Sequence, residues 1–159
     1  MKVGYSTNSI GDVDSLDALS LLCEQGYESL AITPDRNMLN PYEKTFASEV
    51  RVWQDALAKA QMRCVIETGA RYLLDSKRKH HPTLLSDAQD DRCRRIGFLR
   101  RAIDLAAELN ADCVSLWSGA VDSDDDEEML WQKLTDGAGE VLDYAYRCGV
   151  VLGFEPEPG

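Results

Sequence analysis

Short apolar runs alternate with amphipathic helical stretches along the whole chain, and this alternation constrains the fold more than any other feature. The runs fall at residues 2–5, 27–33, 63–68, 113–117 and 150–154. Between them, apolar side chains recur at steps of three and four residues, which places them on one face of a helix. The faces are Leu16, Leu19 and Cys23; Phe46, Val50, Trp53, Leu57 and Ala60; Ile96, Leu99, Ile103 and Ala106; and Leu130, Leu134, Ala138, Val141 and Ala145. Asp14 or Ser15 can cap the first helix, while Gly26, Asn110 and Gly149 supply left-handed residues that stop helices. Arg92, Arg94, Arg95, Arg100 and Arg101 predict a basic outer face on the third. Strands alternating with amphipathic helices imply right-handed crossovers within one parallel sheet, an α/β arrangement written (βα)4-β5. No linker or shift of composition divides the 159 residues, so one domain over residues 1–159 is expected.

Charge and cysteine content narrow the classes of function. With 17 basic and 28 acidic residues the net charge is -11, which opposes any encounter with a phosphate backbone and argues against nucleic acid as a partner. Five cysteines, Cys23, Cys64, Cys93, Cys113 and Cys148, are widely spaced and form no C-x-x-C pair. They read as small buried apolar residues in a reducing compartment. The first residues lack the apolar run of a signal peptide, and no stretch approaches a membrane span, so a cytoplasmic protein without a membrane partner is expected.

Two parallel architectures fit the alternation, an open doubly wound sheet and part of an eight-stranded barrel. The turn after the first strand, Ser6-Thr7-Asn8-Ser9-Ile10-Gly11, has neither of the glycine-rich patterns that cradle a dinucleotide or a triphosphate. Four strand ends instead carry Asn8, Glu67, Trp117 and Glu155, and convergence of side chains from several strand ends is the habit of a barrel. The last of them sits in Val151-Leu152-Gly153-Phe154-Glu155-Pro156-Glu157, where proline restricts the preceding residue to extended backbone and presents Glu155 in a defined direction.

Two loops carry unusual composition. Residues 70–89 form the longest stretch without a clear period, which suggests a lid or binding loop, and hold both histidines within Lys77-Arg78-Lys79-His80-His81-Pro82. A solvated basic loop and a contact for a substrate phosphate are both open readings, whereas neighbouring histidines on an extended chain point apart and do not chelate one ion. The acidic run at residues 122–128 has Glu127 and Lys133 where a calcium-binding EF-hand loop needs glycine and glutamate, and reads as an acidic helix start.

The ordered series Gly4-Tyr5-Ser6-Thr7-Asn8, Leu30-Ala31-Ile32-Thr33, Val65-Ile66-Glu67-Thr68-Gly69-Ala70, Val114-Ser115-Leu116-Trp117-Ser118-Gly119 and Leu152-Gly153-Phe154-Glu155-Pro156-Glu157 resembles the xylose isomerase-like barrel superfamily, in its sugar phosphate isomerase/epimerase branch. The resemblance implies a (β/α)8 TIM barrel of which this chain is the N-terminal half, since a complete barrel takes about 250 residues. It implies a divalent-metal-dependent isomerase or epimerase of a sugar or sugar phosphate, with Mn2+ or Mg2+ as cofactor and proton transfer through an enediolate. By position Glu155 is implied as metal ligand and acid/base, with Glu157 as a second candidate ligand; the family's other ligands come from later strands. Asn8, Glu67, Arg71 and Trp117 are candidate substrate contacts. Glu67 has the alternative of an ion pair with Arg71, and Trp117 that of barrel packing. DNA repair endonucleases share this barrel, but they place histidines where this chain has Ile32-Thr33 and Glu67-Thr68. A second reading is a non-catalytic half-barrel, a binding or assembly module that self-associates through open sheet edges.

Overall fold

In the computed structural model, residues 3–10, 13–121 and 124–156 are described. Strands β1 (Gly4–Ser6), β2 (Ser29–Ile32), β3 (Arg63–Glu67), β4 (Val114–Trp117) and β5 (Leu152–Glu155) alternate with helices α1 (Ser15–Glu24), α2 (Phe46–Ala60), α3 (Gln89–Leu109) and α4 (Glu127–Cys148). All neighbouring strands pair parallel, in the order β1-β2-β3-β4-β5. This order decides between the two architectures. A doubly wound sheet reverses direction partway, putting helices on both faces; a strictly sequential order with right-handed crossovers keeps them on one.

Burial along the strands follows from that. Leu30 and Ile32 of β2, Cys64 and Ile66 of β3, and Val114 and Leu116 of β4 are buried against Leu22, Val50, Trp53, Phe98, Leu99, Ile103 and Val141. The alternate residues, Ala31, Val65, Glu67, Ser115 and Trp117, are only half-buried, because no helix lies on their side. β5 lies at the sheet edge and contains no buried residue: Phe154, which pairs with buried Leu116, is 50% exposed. The apolar character of this strand therefore does not mean burial, because no neighbour covers it.

Helix ends obey local chemistry. The Asp14 carboxylate accepts from the amides of Leu16 and Asp17 at 2.9 and 3.3 Å, and Asn110 and Gly149 close α3 and α4 in left-handed conformation at φ 51° and 69°. Three expectations are corrected. The inward face of α1 is Ala18, Leu19 and Leu22, one step from the expected stripe, and Cys23 is exposed. Only Cys64 is buried; Cys93 is exposed, and Cys113 and Cys148 are half-buried. Burial, and secondarily the charge of Asp112, pushes the Cys64 thiol up to about 12, so it stays protonated and unreactive at neutral pH. Arg95 does not belong to a basic outer face either. It is 1% exposed, donates from Nη2 to the Thr68 carbonyl at 2.6 Å and stacks on Phe98 at 5.5 Å, and its Nη1 has no partner. Among the described residues no helix is long and apolar enough to cross a membrane.

Candidate active site

The carboxyl ends of β1, β3, β4 and β5 close around a cavity of about 290 Å³, lined by Asn8, Glu67, Thr68, Gly69, His80, Ser115, Leu116, Trp117 and Glu155. Four of the expected site residues, Asn8, Glu67, Trp117 and Glu155, are thus brought together. Arg71 is not. It lines a neighbouring cavity beside Asn8, Thr33 and Asp35, with its Nη1 3.7 Å from the Asp35 carboxylate. Glu157 lies outside the described residues.

Glu67 sits at the centre of a bonding pattern that the expected ion pair with Arg71 does not describe. Its Oε2 accepts from Ser6 Oγ at 3.0 Å, Asn8 Nδ2 at 3.2 Å and Thr33 Oγ1 at 2.7 Å, two donors from the end of β1 and one from the end of β2. Its Oε1 takes no hydrogen bond among the described residues and is available to a ligand. The support is layered: the Asn8 amide N–H donates to Ser6 Oγ at 3.3 Å, and the Thr33 amide donates to Thr7 Oγ1 at 3.0 Å. Across the sheet, Thr68 Oγ1 donates to the Ser115 carbonyl at 2.7 Å, and Ser115 Oγ donates to Glu155 Oε1. Register explains the two carboxylates' common floor: Glu67 is opposite Ser115, which is opposite Gly153, and Trp117 is opposite Glu155.

The loop after β3 delivers His80, which the sequence flagged only by composition. His80 Nδ1 is 2.5 Å from the Gly69 carbonyl, and the ring meets Trp117 edge-on at 5.8 Å. A carbonyl only accepts, so Nδ1 carries a proton, and in the neutral ring Nε2 holds the lone pair. Three non-glycine residues of this loop have positive φ, Ala70 at 58°, Arg71 at 39° and His80 at 67°, each costing about 1 kcal/mol or more. Such backbone persists where surrounding contacts over-determine it, and of the three residues His80 lines the cavity. Within the basic cluster of the same loop, Asp75 Oδ1 accepts from the amides of Lys77 and Arg78, and Oδ2 from Arg78 Nε at 2.9 Å. The Lys77 amide bond, followed by the Arg78 side chain, holds the Asp75 carboxyl down at about 2. Trp117 is half-buried at the rim and lies outside the buried core.

A glutamate oxygen suits a hard cation such as Mn2+ or Mg2+, and Glu155 can offer one. One donor is not a centre, however. Among the described residues no three His, Cys, Asp or Glu side chains come together as a metal site. The residues described here fit as a single ligand and do not complete a set.

A one-directional parallel sheet with helices on one face, and polar side chains gathered at the strands' carboxyl ends, defines part of a (β/α)8 barrel with its site at the usual rim. Residues 19–159 match the family described as xylose isomerase-like TIM barrel, and the chain belongs to it. Solved structures of similar fold include 3-keto-D-glucoside 4-epimerase from E. coli, 13% identical, covering 98% of this chain and 56% of that one with a TM-score of 0.76. D-psicose 3-epimerase from Clostridium cellulolyticum is 15% identical over 96% of this chain and 51% of its own, TM-score 0.73. A sugar phosphate isomerase/epimerase from Parabacteroides distasonis is 16% identical over 98% and 51%, TM-score 0.65. The chain spans about half the length of these structures, and at such identities the likeness shows the fold. No curated protein sequence matches it.

Proposed function

We propose that the strand-end cavity is the N-terminal part of a sugar or sugar phosphate isomerase/epimerase site working by proton transfer beside a carbonyl. The observation that carries this reading is the placement of two carboxylates, Glu67 and Glu155, on one cavity, each oriented by side-chain donors from other strand ends. Glu67 Oε1 accepts from a sugar hydroxyl, and His80 Nε2 accepts from a second. Trp117 offers its face to the ring's C–H surface. Glu155 takes the proton from the carbon next to the carbonyl, and the electron pair moves onto the carbonyl oxygen as an enediolate forms; return of the proton to the neighbouring carbon, with the hydroxyl proton passing between the two oxygens, gives the isomer, whereas epimerisation takes a proton from a second acid on the opposite face. Glu155 would be one ligand of a divalent cation, which would supply polarisation of that carbonyl.

Mn2+ titration of the chain, followed by the electron spin resonance signal of free metal, tests the ligand assignment. Glu155→Ala is expected to weaken binding by about tenfold or more. Equal binding in the variant would remove Glu155 from the metal site.

A specific observation also favours the second reading, an assembly module. β1 and β5 are edge strands, Val151 and Phe154 at β5 are exposed, and on α4 Leu142 and Tyr146 are exposed as well, Tyr146 at 85%. Open edges beside apolar surface invite pairing. Light scattering of the isolated chain is expected to show self-association that Phe154→Lys reduces; a monodisperse monomer would overturn this reading.

A further inference from the structure

Away from the strand-end cavity, and sharing no lining residue with it, is a cavity of about 630 Å³ walled by Arg36, Asn40, Tyr42, Glu43, Leu73, Leu74, Arg94, Gly97 and Arg101. Three guanidinium groups from separate parts of the chain meet there: Arg36 from the loop after β2, and Arg94 and Arg101 from α3. Each is steadied by a main-chain carbonyl. Arg36 Nε donates to Tyr72 O at 3.0 Å, Arg94 Nη2 to Leu74 O, and Arg101 Nη1 to Pro41 O at 3.3 Å. Arg94 also approaches Asp91 at 3.6 Å. Arg36 and Arg101 form no ion pair among the described residues, although Glu43 lines the same cavity. In a chain with a net charge of -11, two unneutralised arginines and a third beside them are an unusual concentration of positive charge.

The glycine on the same wall points the same way. Arg94, Gly97 and Arg101 are spaced by three and four residues and therefore lie on one stripe of α3. A mid-helix glycine is unfavourable relative to alanine. Packing does not explain it, because a Cβ at Gly97 would meet nothing within 4 Å. The missing side chain leaves the space between the two guanidinium groups open. Tyr42 closes the site, its ring 5.1 Å from the Arg101 guanidinium. Its hydroxyl feels positive charge from Arg101, Arg94 and the buried Arg95, though burial is the larger influence and raises its pKa overall.

We propose that this cavity binds a phosphorylated small molecule at a site separate from the strand-end cavity, with Arg36, Arg94 and Arg101 as its phosphoryl contacts. Guanidinium forks pair with phosphoryl oxygens through two parallel N–H bonds, and a dianion or trianion matches three converging cations better than a single carboxylate does. Asn40 and the Tyr42 hydroxyl stand in the same wall to hydrogen-bond the rest of the ligand.

The test uses inorganic pyrophosphate as probe, titrated calorimetrically into the chain. Wild type is expected to bind one equivalent, with affinity falling as salt rises. Arg36→Gln and Arg101→Gln should each raise Kd about tenfold. Gly97→Leu should raise Kd by about as much while leaving the melting temperature equal or higher, because leucine is a better helix former and fills open space. Lys59→Gln, on exposed α2 surface, removes the same charge and should change Kd by less than about twofold. No pyrophosphate binding by wild type, unchanged affinity in the two arginine variants, or an equal loss in Lys59→Gln would overturn the proposal. The strand-end reading is unaffected by any of these results, since no residue is shared.

Discussion

Gly119→Ala is expected to destabilise the chain by about 3 kcal/mol in equilibrium urea unfolding, combining overpacking of about 1–3 kcal/mol with a left-handed backbone cost of about 1–2 kcal/mol. Gly119 follows β4 with φ +96°, and a Cβ there would lie 2.2 Å from Thr83 Cβ and 2.6 Å from its Cγ2 and Oγ1. Thr83 has nowhere to go. It is 2% exposed, its amide donates to Ser86 Oγ at 2.9 Å, and its Oγ1 accepts from the Leu85 amide at 3.2 Å. The contact is the seat on which the loop after β3 rests against the end of β4, beside the pairing of His80 with Trp117. Thr83→Gly in the same chain should recover the steric part of the loss and leave the backbone part, a non-additivity that a double-mutant cycle reads directly. A loss below about 1 kcal/mol for Gly119→Ala would mean that the loop is not seated there.

Glu67→Ala should cost about 2 kcal/mol of stability, because a buried donor left without its acceptor bears its full desolvation penalty. The three donors to Glu67 are not equivalent. Ser6 and Asn8 can turn to water, being half-buried and exposed, but Thr33 is 1% exposed and its hydroxyl would be stranded. Glu67→Gln keeps an oxygen in place and should cost less than about 1 kcal/mol. The two variants separate structure from function. If Glu67 contacts substrate as proposed, Gln loses sugar affinity while remaining folded; equal stability of the Ala and wild-type chains would show that the three-donor arrangement does not hold the rim together.

The helices were legible because their signal is local. Val50, Trp53 and Leu57 on α2, and Ile96, Leu99, Ile103 and Ala106 on α3, are buried as their spacing requires. The errors came where a residue's fate depends on what lies across from it. Arg95 shares its helix with four other arginines, and nothing in that pattern says that it alone turns inward to the Thr68 carbonyl. Val151 and Phe154 are as apolar as the residues of β3, yet they are exposed at the sheet edge. Cys23 and Cys93 are exposed for the same kind of reason: a cysteine is compatible with a packed face and does not specify one. At the site, strand-end position identified Asn8, Glu67, Trp117 and Glu155, whereas His80 stands thirteen residues beyond Glu67 in a loop without period and reaches the cavity through three positive-φ residues.

The sequence by itself determined the alternation of strand and helix, the helix stops at Asn110 and Gly149, and the carboxylates at the ends of β3 and β5, because periodicity, capping and strand polarity act over a few residues. Only the tertiary structure decided that the five strands run in one unreversed order, which of Glu67's neighbours would hold it, and that Arg36 would meet Arg94 and Arg101. Those outcomes depend on contacts between residues some thirty to sixty positions apart, and short-range patterns carry no record of such pairings.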